Sequence, residues 1–106
     1  MALTDFRLSP DQSDGGLVVI LADDAKTRAI THVVREAVDD RFQLRGASQQ
    51  QRVELVERNL VEISEIIKRK YAAGETAPYA DRIGMTDPNN KLITITTADL
   101  ASIARA

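Results

Sequence analysis

The sequence predicts an α+β domain, in which a small antiparallel-type sheet (a β-hairpin plus a C-terminal strand) packs on one short and one long helix. Three observations carry that expectation. Residues 48–74 have the periodicity of a single long amphipathic helix, residues 17–33 read as two strands around an acidic turn, and residues 91–97 alternate like a closing strand. A chain of 106 residues makes one domain with one modest core, here spanning residues 1–106.

The elements follow in order. Phe6 and Leu8 suit a short edge strand, but Pro10 and the polar, glycine-containing stretch after it leave residues 1–16 expected to be loosely ordered. Leu17-Val18-Val19-Ile20-Leu21-Ala22 is β-branched, too short for a typical helix and bounded by Gly15-Gly16 and Asp23-Asp24, so it reads as a strand. Asp23-Asp24-Ala25-Lys26 is the turn, and residues 27–33 return with Arg28, Ile30 and His32 alternating against Ala29, Thr31 and Val33. Val34, Ala37, Val38 and Phe42 then have helical spacing, with Arg35, Glu36, Asp39 and Asp40 expected to face water and Gly46 closing the short helix.

The long helix reads from both ends. Ser48 with Gln51 three residues later makes a capping box, and Gly74 follows as a left-handed C-cap. Glu54 and Glu57 lie early, and Lys68, Arg69 and Lys70 fill the last turn, opposing the macrodipole. Val53, Val56, Leu60, Ile63, Ile67 and Tyr71 form one stripe, and Val61 stands off it. Glu54 with Arg58 and Glu65 with Arg69 are expected as i, i+4 pairs, each worth about 0.2–0.5 kcal/mol on an isolated helix. Residues 75–90, with Pro78, Gly84 and Asp87-Pro88-Asn89-Asn90, are read as a long loop. In the closing strand Ile93 and Ile95 share one face, Leu92, Thr94 and Thr96 the other. Thr97 or Asp99 then caps a terminal turn that directs Leu100 and Ile103 inward.

Composition narrows function mainly by exclusion. Hydrophobic residues at 43% with 28% charged are ordinary for a folded soluble domain. No apolar run approaches the ~20 residues of a bilayer span, and the start lacks the charged-then-apolar pattern of a signal peptide. With no cysteine, a reducing cytoplasm is the expected location. Net charge −2 and an aromatic fraction of 4% disfavour an extended phosphate-collecting or base-stacking surface. Asp23-Asp24 and Asp39-Asp40 lack the spacing of a calcium loop, and Glu62 and Glu65 lack the following histidine of a di-iron motif. Gly15-Gly16 lacks the remainder of a phosphate loop. The single histidine, His32, has Glu36 as its one visible partner, too little for a catalytic constellation. No catalytic residue, cofactor or metal is expected.

What remains is binding. In the strand 17–22 both faces are apolar, so Val18 and Ile20 are candidate interaction residues for a second copy or a protein partner. The alternative is that Phe6, Leu8 or the loop 78–85 covers them. Self-association is favoured because closed two-fold dimers are the commonest assemblies. Tyr79 and Arg82 in the long loop are further interaction candidates, since aromatic and arginine side chains are enriched at interface centres. The expected function is a small non-enzymatic interaction module, acting as a homodimer or on a protein partner. The alternative is a weak nucleic-acid-binding regulatory protein using Arg28, Lys68, Arg69 and Lys70.

Three stretches also resemble a known family. Ile30-Thr31-His32-Val33-Val34-Arg35-Glu36-Ala37-Val38-Asp39-Asp40-Arg41-Phe42 is similar to a strand running into a short helix that ends in an aromatic. Arg58-Asn59, Ile66 and Lys70-Tyr71 fall in a long helix, and Leu92-Ile93-Thr94-Ile95-Thr96-Thr97-Ala98-Asp99-Leu100 resembles a closing strand and cap. In that order they resemble the bacterial domain of unknown function family numbered 1488, over roughly residues 17–100. Three departures stand beside this: Val34 replaces the family's helix-start serine, which moves that cap elsewhere, with Thr31 the candidate; the loop before the last strand is longer; and the chain continues past Leu100. The resemblance implies the fold and no activity.

Overall fold

The hairpin forms where the two β-branched runs predict it. In the computed structural model, which describes residues 3–9, 17–25, 27–44, 46–80 and 86–101, β2 (Val18–Asp24) pairs antiparallel with β3 (Thr27–Val33) in unbroken register from Val18–Val33 to Asp24–Thr27. Asp23 and Asp24 belong to the strand and not to the turn. The chain reverses between the paired Asp24 and Thr27, and Ala25 takes φ 53°, the left-handed conformation that primed hairpin turns use. Within the segment expected to be loosely ordered, residues 4–8 form the edge strand that Phe6 and Leu8 suggested. β1 (Thr4–Leu8) pairs antiparallel with β2 across a bulge between Thr4 and Arg7, where Asp5 has φ 59°. Leu3 ahead of it is buried in the core.

α1 (Arg35–Phe42) starts from Val34, whose side chain makes no cap, and Thr31 is buried in the sheet and not available for one. The helix ends earlier than Gly46. Gln43 takes φ 55° and the Leu44 N–H donates to the Asp39 carbonyl at 2.9 Å, the bond of a Schellman motif with glutamine where glycine is preferred. Gln43→Gly is therefore expected to raise stability by up to about 1 kcal/mol, less the entropy glycine adds to the unfolded chain. Chemical denaturation measures it, and a loss would show that the glutamine side chain holds the turn.

The single long helix of the sequence reading is two helices. α2 (Gln49–Arg58) opens with the expected capping box, Gln51 N–H to Ser48 Oγ at 3.2 Å and Ser48 N–H to Gln51 Oε1 at 2.8 Å. α3 (Leu60–Ala72) follows after one residue, Asn59, at φ −108° and ψ 18°. The cause is local: the Asn59 side-chain amide donates to the Leu55 carbonyl at 2.8 Å, competing with the backbone for that acceptor. Helical bonding resumes at once, with Ile63 N–H donating to Asn59 O. The apolar stripe carries on across the kink, because Val56, Ile63 and Ile67 are all fully buried. Gly74, at φ 76°, ends α3 as expected, with Glu75 N–H donating to Lys70 O at 2.9 Å. The two expected i, i+4 ion pairs give way to other partners: Gln50 donates to Glu54, and Lys68 pairs with Glu65.

The region read as a loop, residues 75–90, contains β4 (Ala77–Ala80) and the start of β5 (Thr86–Ile95). They pair antiparallel, which turns the chain round once more, so β5 reaches β3 running parallel to it, from Arg28–Asn90 to Val33–Ile95. The sheet is thus mixed and not antiparallel throughout, with order β1-β2-β3-β5-β4 among the described residues. Pro88 precedes the stretch where β5 is flanked on both sides, which is where a missing N–H is tolerated. A short α4 (Thr97–Leu100) ends the described chain. Thr96, not Thr97 or Asp99, is its N-cap, and its N–H and Oγ1 both donate to Asp99 Oδ2. Leu100 is buried as expected, while Ile103 lies outside the described residues.

One core joins these elements. Val18, Ile20, Ala22, Ala29, Val33, Ile93 and Ile95 from one sheet face meet Ala37, Val38, Val56, Ile63, Ile66, Ile67 and Leu100 from the helices. All the described helices therefore cover the same face.

Candidate interaction surface

Strand alternation decides which side chains are left on the other face. With Val18, Ile20 and Ala22 in the core, Val19, Leu21 and Asp23 point away. Likewise Arg28, Ile30 and His32 on β3, and Leu92 and Thr94 on β5, oppose the buried Ala29, Val33, Ile93 and Ile95. Register sets them in rows. Leu21, Ile30 and Leu92 lie side by side across three strands, continued by Arg7 on β1 and Ala77 on β4. Val19, His32 and Thr94 make the next row, and Asp23, Arg28 and Asn90 the row at the hairpin end.

Each row has its own character. The central one is aliphatic: Ile30 is buried, Leu21 and Leu92 half-buried. The hairpin row is ionic. Asp23 accepts from Arg28 Nε at 3.2 Å and from Arg7 Nη1 at 3.1 Å. Burial pushes the Asp23 carboxyl up, but the two guanidiniums outweigh it and hold it below the usual carboxylate range. At the far side the half-buried His32 ring meets Tyr79 edge-on, with centroids 6.3 Å apart and planes at 86°. Burial lowers the pKa of His32, favouring the neutral ring.

Of the interaction residues predicted from sequence, Tyr79 is on this surface, though on β4 and not in a loop. Val18 and Ile20 are not: both are fully buried beneath the helices, and on the opposite face Val19 is also buried, so only Leu21 of this strand's apolar run is partly exposed there. Arg82 lies outside the described residues. Glu36 is exposed on α1, on the helical side of the sheet, so it does not partner His32.

The candidate phosphate-binding cations do not converge. Arg28 is on the second sheet face, whereas Lys68 and Lys70 are on α3. Lys68 pairs with Glu65 and lies 5.6 Å from the Phe6 ring centroid. Lys70 pairs with Asp99 at 2.9 Å and donates to the Thr94 carbonyl at 3.0 Å. Arg69 is exposed beside them.

Two polar links were missed in the sequence. Arg52 on α2 is buried, and its guanidinium donates bidentately to Asp39 of α1, Nε to Oδ1 at 2.7 Å and Nη2 to Oδ2 at 3.1 Å. Asp39, expected to face water, instead ties the two helices together. The signal was available, because Arg52 lies one helical turn before Val56 on the buried stripe. The second link joins the Tyr71 hydroxyl to Asp24 Oδ2 at 2.8 Å, fastening the end of α3 to the hairpin and raising the Tyr71 pKa.

These carboxylates set an acid limit. The Arg52 guanidinium holds Asp39 below the usual carboxylate range against the opposing effect of burial. For Asp99 burial pushes up, but the Thr96 backbone and the Lys70 ammonium outweigh it. A carboxyl depressed in the fold contributes stability above its unfolded pKa of about 3.9 and loses it as pH falls through the folded value. Unfolding midpoints are accordingly expected to hold on the carboxylate side from neutrality to about pH 5 and to fall steeply below about pH 4. A flat profile down to pH 2 would contradict the pairing.

Among the described residues no three His, Asp or Glu side chains gather to hold a metal ion, and no helix is long and apolar enough to cross a membrane. The chain matches no protein-family model, no curated protein and no solved structure.

Proposed function

We propose that this protein is a non-enzymatic interaction module whose second sheet face, opposite the helices, pairs with another copy of the chain. The observation that carries it is the half-buried pair Leu21 and Leu92 on either side of the buried Ile30, flanked by Tyr79 and His32, on a face that none of the described helices covers. Sheets commonly bury such a face against a second layer. A two-fold contact needs a self-complementary patch, and the rim here carries both Arg7 and Arg28 and the carboxylate of Asp23, so two copies can exchange these ions. Pairing with a different protein through the same face is the other form of the proposal. A cytoplasmic location belongs to it as well, resting on the absence of cysteine. The resemblance to the family of unknown function numbered 1488 adds a fold and no chemistry.

Size-exclusion chromatography with light scattering tests the pairing. A dimer that dissociates on dilution is expected, and Leu92→Asp is expected to give a monomer that still unfolds cooperatively. A monomer from micromolar to near-millimolar concentration would remove self-association, leaving pairing with another protein to be tested by cross-linking at Tyr79.

A further inference from the structure

Away from the sheet, a cavity of about 390 Å³ opens between the C-terminal ends of α1 and α2. Its volume falls in the range of small-molecule sites, roughly 300–1,000 Å³. Phe42, Leu44 and Leu55 give it an apolar floor, and Arg41 and Arg58 stand in its walls with Asn59 between the helices. No carboxylate is among the described residues that line it.

We propose that this cavity binds a small organic monoanion with an apolar body, of the class of aromatic or aliphatic carboxylates and sulfonates. Arg41 is set in place before any ligand arrives: its Nε donates to the Leu100 carbonyl at 3.1 Å and its guanidinium carbon sits 5.7 Å from the Phe42 ring centroid. Arg58 faces solvent, and Glu54, which helical spacing offers as its partner, instead accepts from Gln50 at 3.3 Å. A bound anion thus meets Arg58 at its accessible end while its apolar body covers Leu44, Leu55 and Phe42. Helix C-termini carry partial negative charge, so the guanidiniums and not the backbone hold the anion. Glu54 lines the adjoining depression of about 280 Å³ with Leu44, Leu55 and Arg58, and this disfavours a second negative charge on the ligand.

The probe is 8-anilinonaphthalene-1-sulfonate, followed by fluorescence and by ¹H–¹⁵N correlation spectra of the full chain. Saturable binding at one site is expected, with amide shifts confined to residues 41–44 and 55–59. Arg58→Gln is expected to weaken binding about tenfold, the value of a lost charge-assisted hydrogen bond, and Leu44→Ala several-fold. Both variants alter partly or fully exposed side chains, and cooperative thermal unfolding checks that they fold. Leu92→Asp, on the opposite side of the molecule, leaves binding unchanged. The inference is overturned by shifts centred on Leu21, Ile30, His32 and Leu92, by equal affinity in Arg58→Gln, by equal affinity for the uncharged N-phenyl-1-naphthylamine, or by no saturable binding. Only the first of these outcomes touches the sheet face, and dimer formation is read independently by light scattering, so failure of the one proposal is distinguishable from failure of the other.

Discussion

Ile93→Ala is expected to cost about 2–5 kcal/mol, which is a large part of the roughly 5–15 kcal/mol that holds a domain of this size together. Ile93 is fully buried in β5 opposite Thr31 of β3, one position past the Ala77–Leu92 pair that joins β4 to β5, and its side chain enters the cluster shared with the helices. Truncation removes three carbons and leaves a hole that its neighbours, held by the sheet on one side and the packed helices on the other, fill only in part. Val61→Ala is the control. It removes two methyl groups from a side chain that is 74% exposed, and is expected to change stability by less than about 0.5 kcal/mol. Urea denaturation of the two variants side by side gives the comparison; equal midpoints would mean that the core is not organised around β5.

Asp39→Ala is expected to lower the melting temperature by about as much as the isoleucine truncation, for a different reason. The variant strands a guanidinium whose side chain is only 5% exposed, and a buried charge without its counter-ion is more costly than the absence of the whole pair. Restoring an apolar environment then matters more than restoring a charge, so the double variant Asp39→Ala with Arg52→Leu is expected to be more stable than Asp39→Ala alone. Arg35, 3.4 Å from the same carboxylate but largely exposed, is expected to contribute little. A double-mutant cycle on Asp39 and Arg52 reads the coupling directly. Additive single effects would show that the two side chains act independently and that the bidentate geometry has no energetic weight.

Much of the fold was legible where its determinants are adjacent in sequence. The β2–β3 hairpin, the Ser48–Gln51 box, the glycine at the end of α3 and the inward faces of Ile93 and Ile95 depend on residues a few positions apart, and each reads off local pattern. The kink at Asn59 was obscured because the buried stripe continues through it, although an asparagine inside a helix was the available clue. β4 was missed because Pro78 and the short run beside it resemble a loop, and with β4 missing the direction of β5 followed wrongly. The surface was half legible: apolar residues on both faces of residues 17–22 pointed to a second layer, but which residues faced it depended on where the helices packed. Arg52 with Asp39 needed the angle between two helices, which no local pattern carries.

The parallel pairing of β3 with β5 has a consequence for synthesis of the chain. Paired residues of the two strands, such as Arg28 and Asn90, are more than half of the sequence apart, so β3 leaves the ribosome long before its inner neighbour exists. Until residues 86–95 emerge, the nascent polypeptide holds a hairpin with an open hydrogen-bonding edge beside unfinished helical packing, the kind of species that associates wrongly. Chains stopped short of β5 are therefore expected to precipitate or recruit chaperones, even though most of the amphipathic sequence is already present in them.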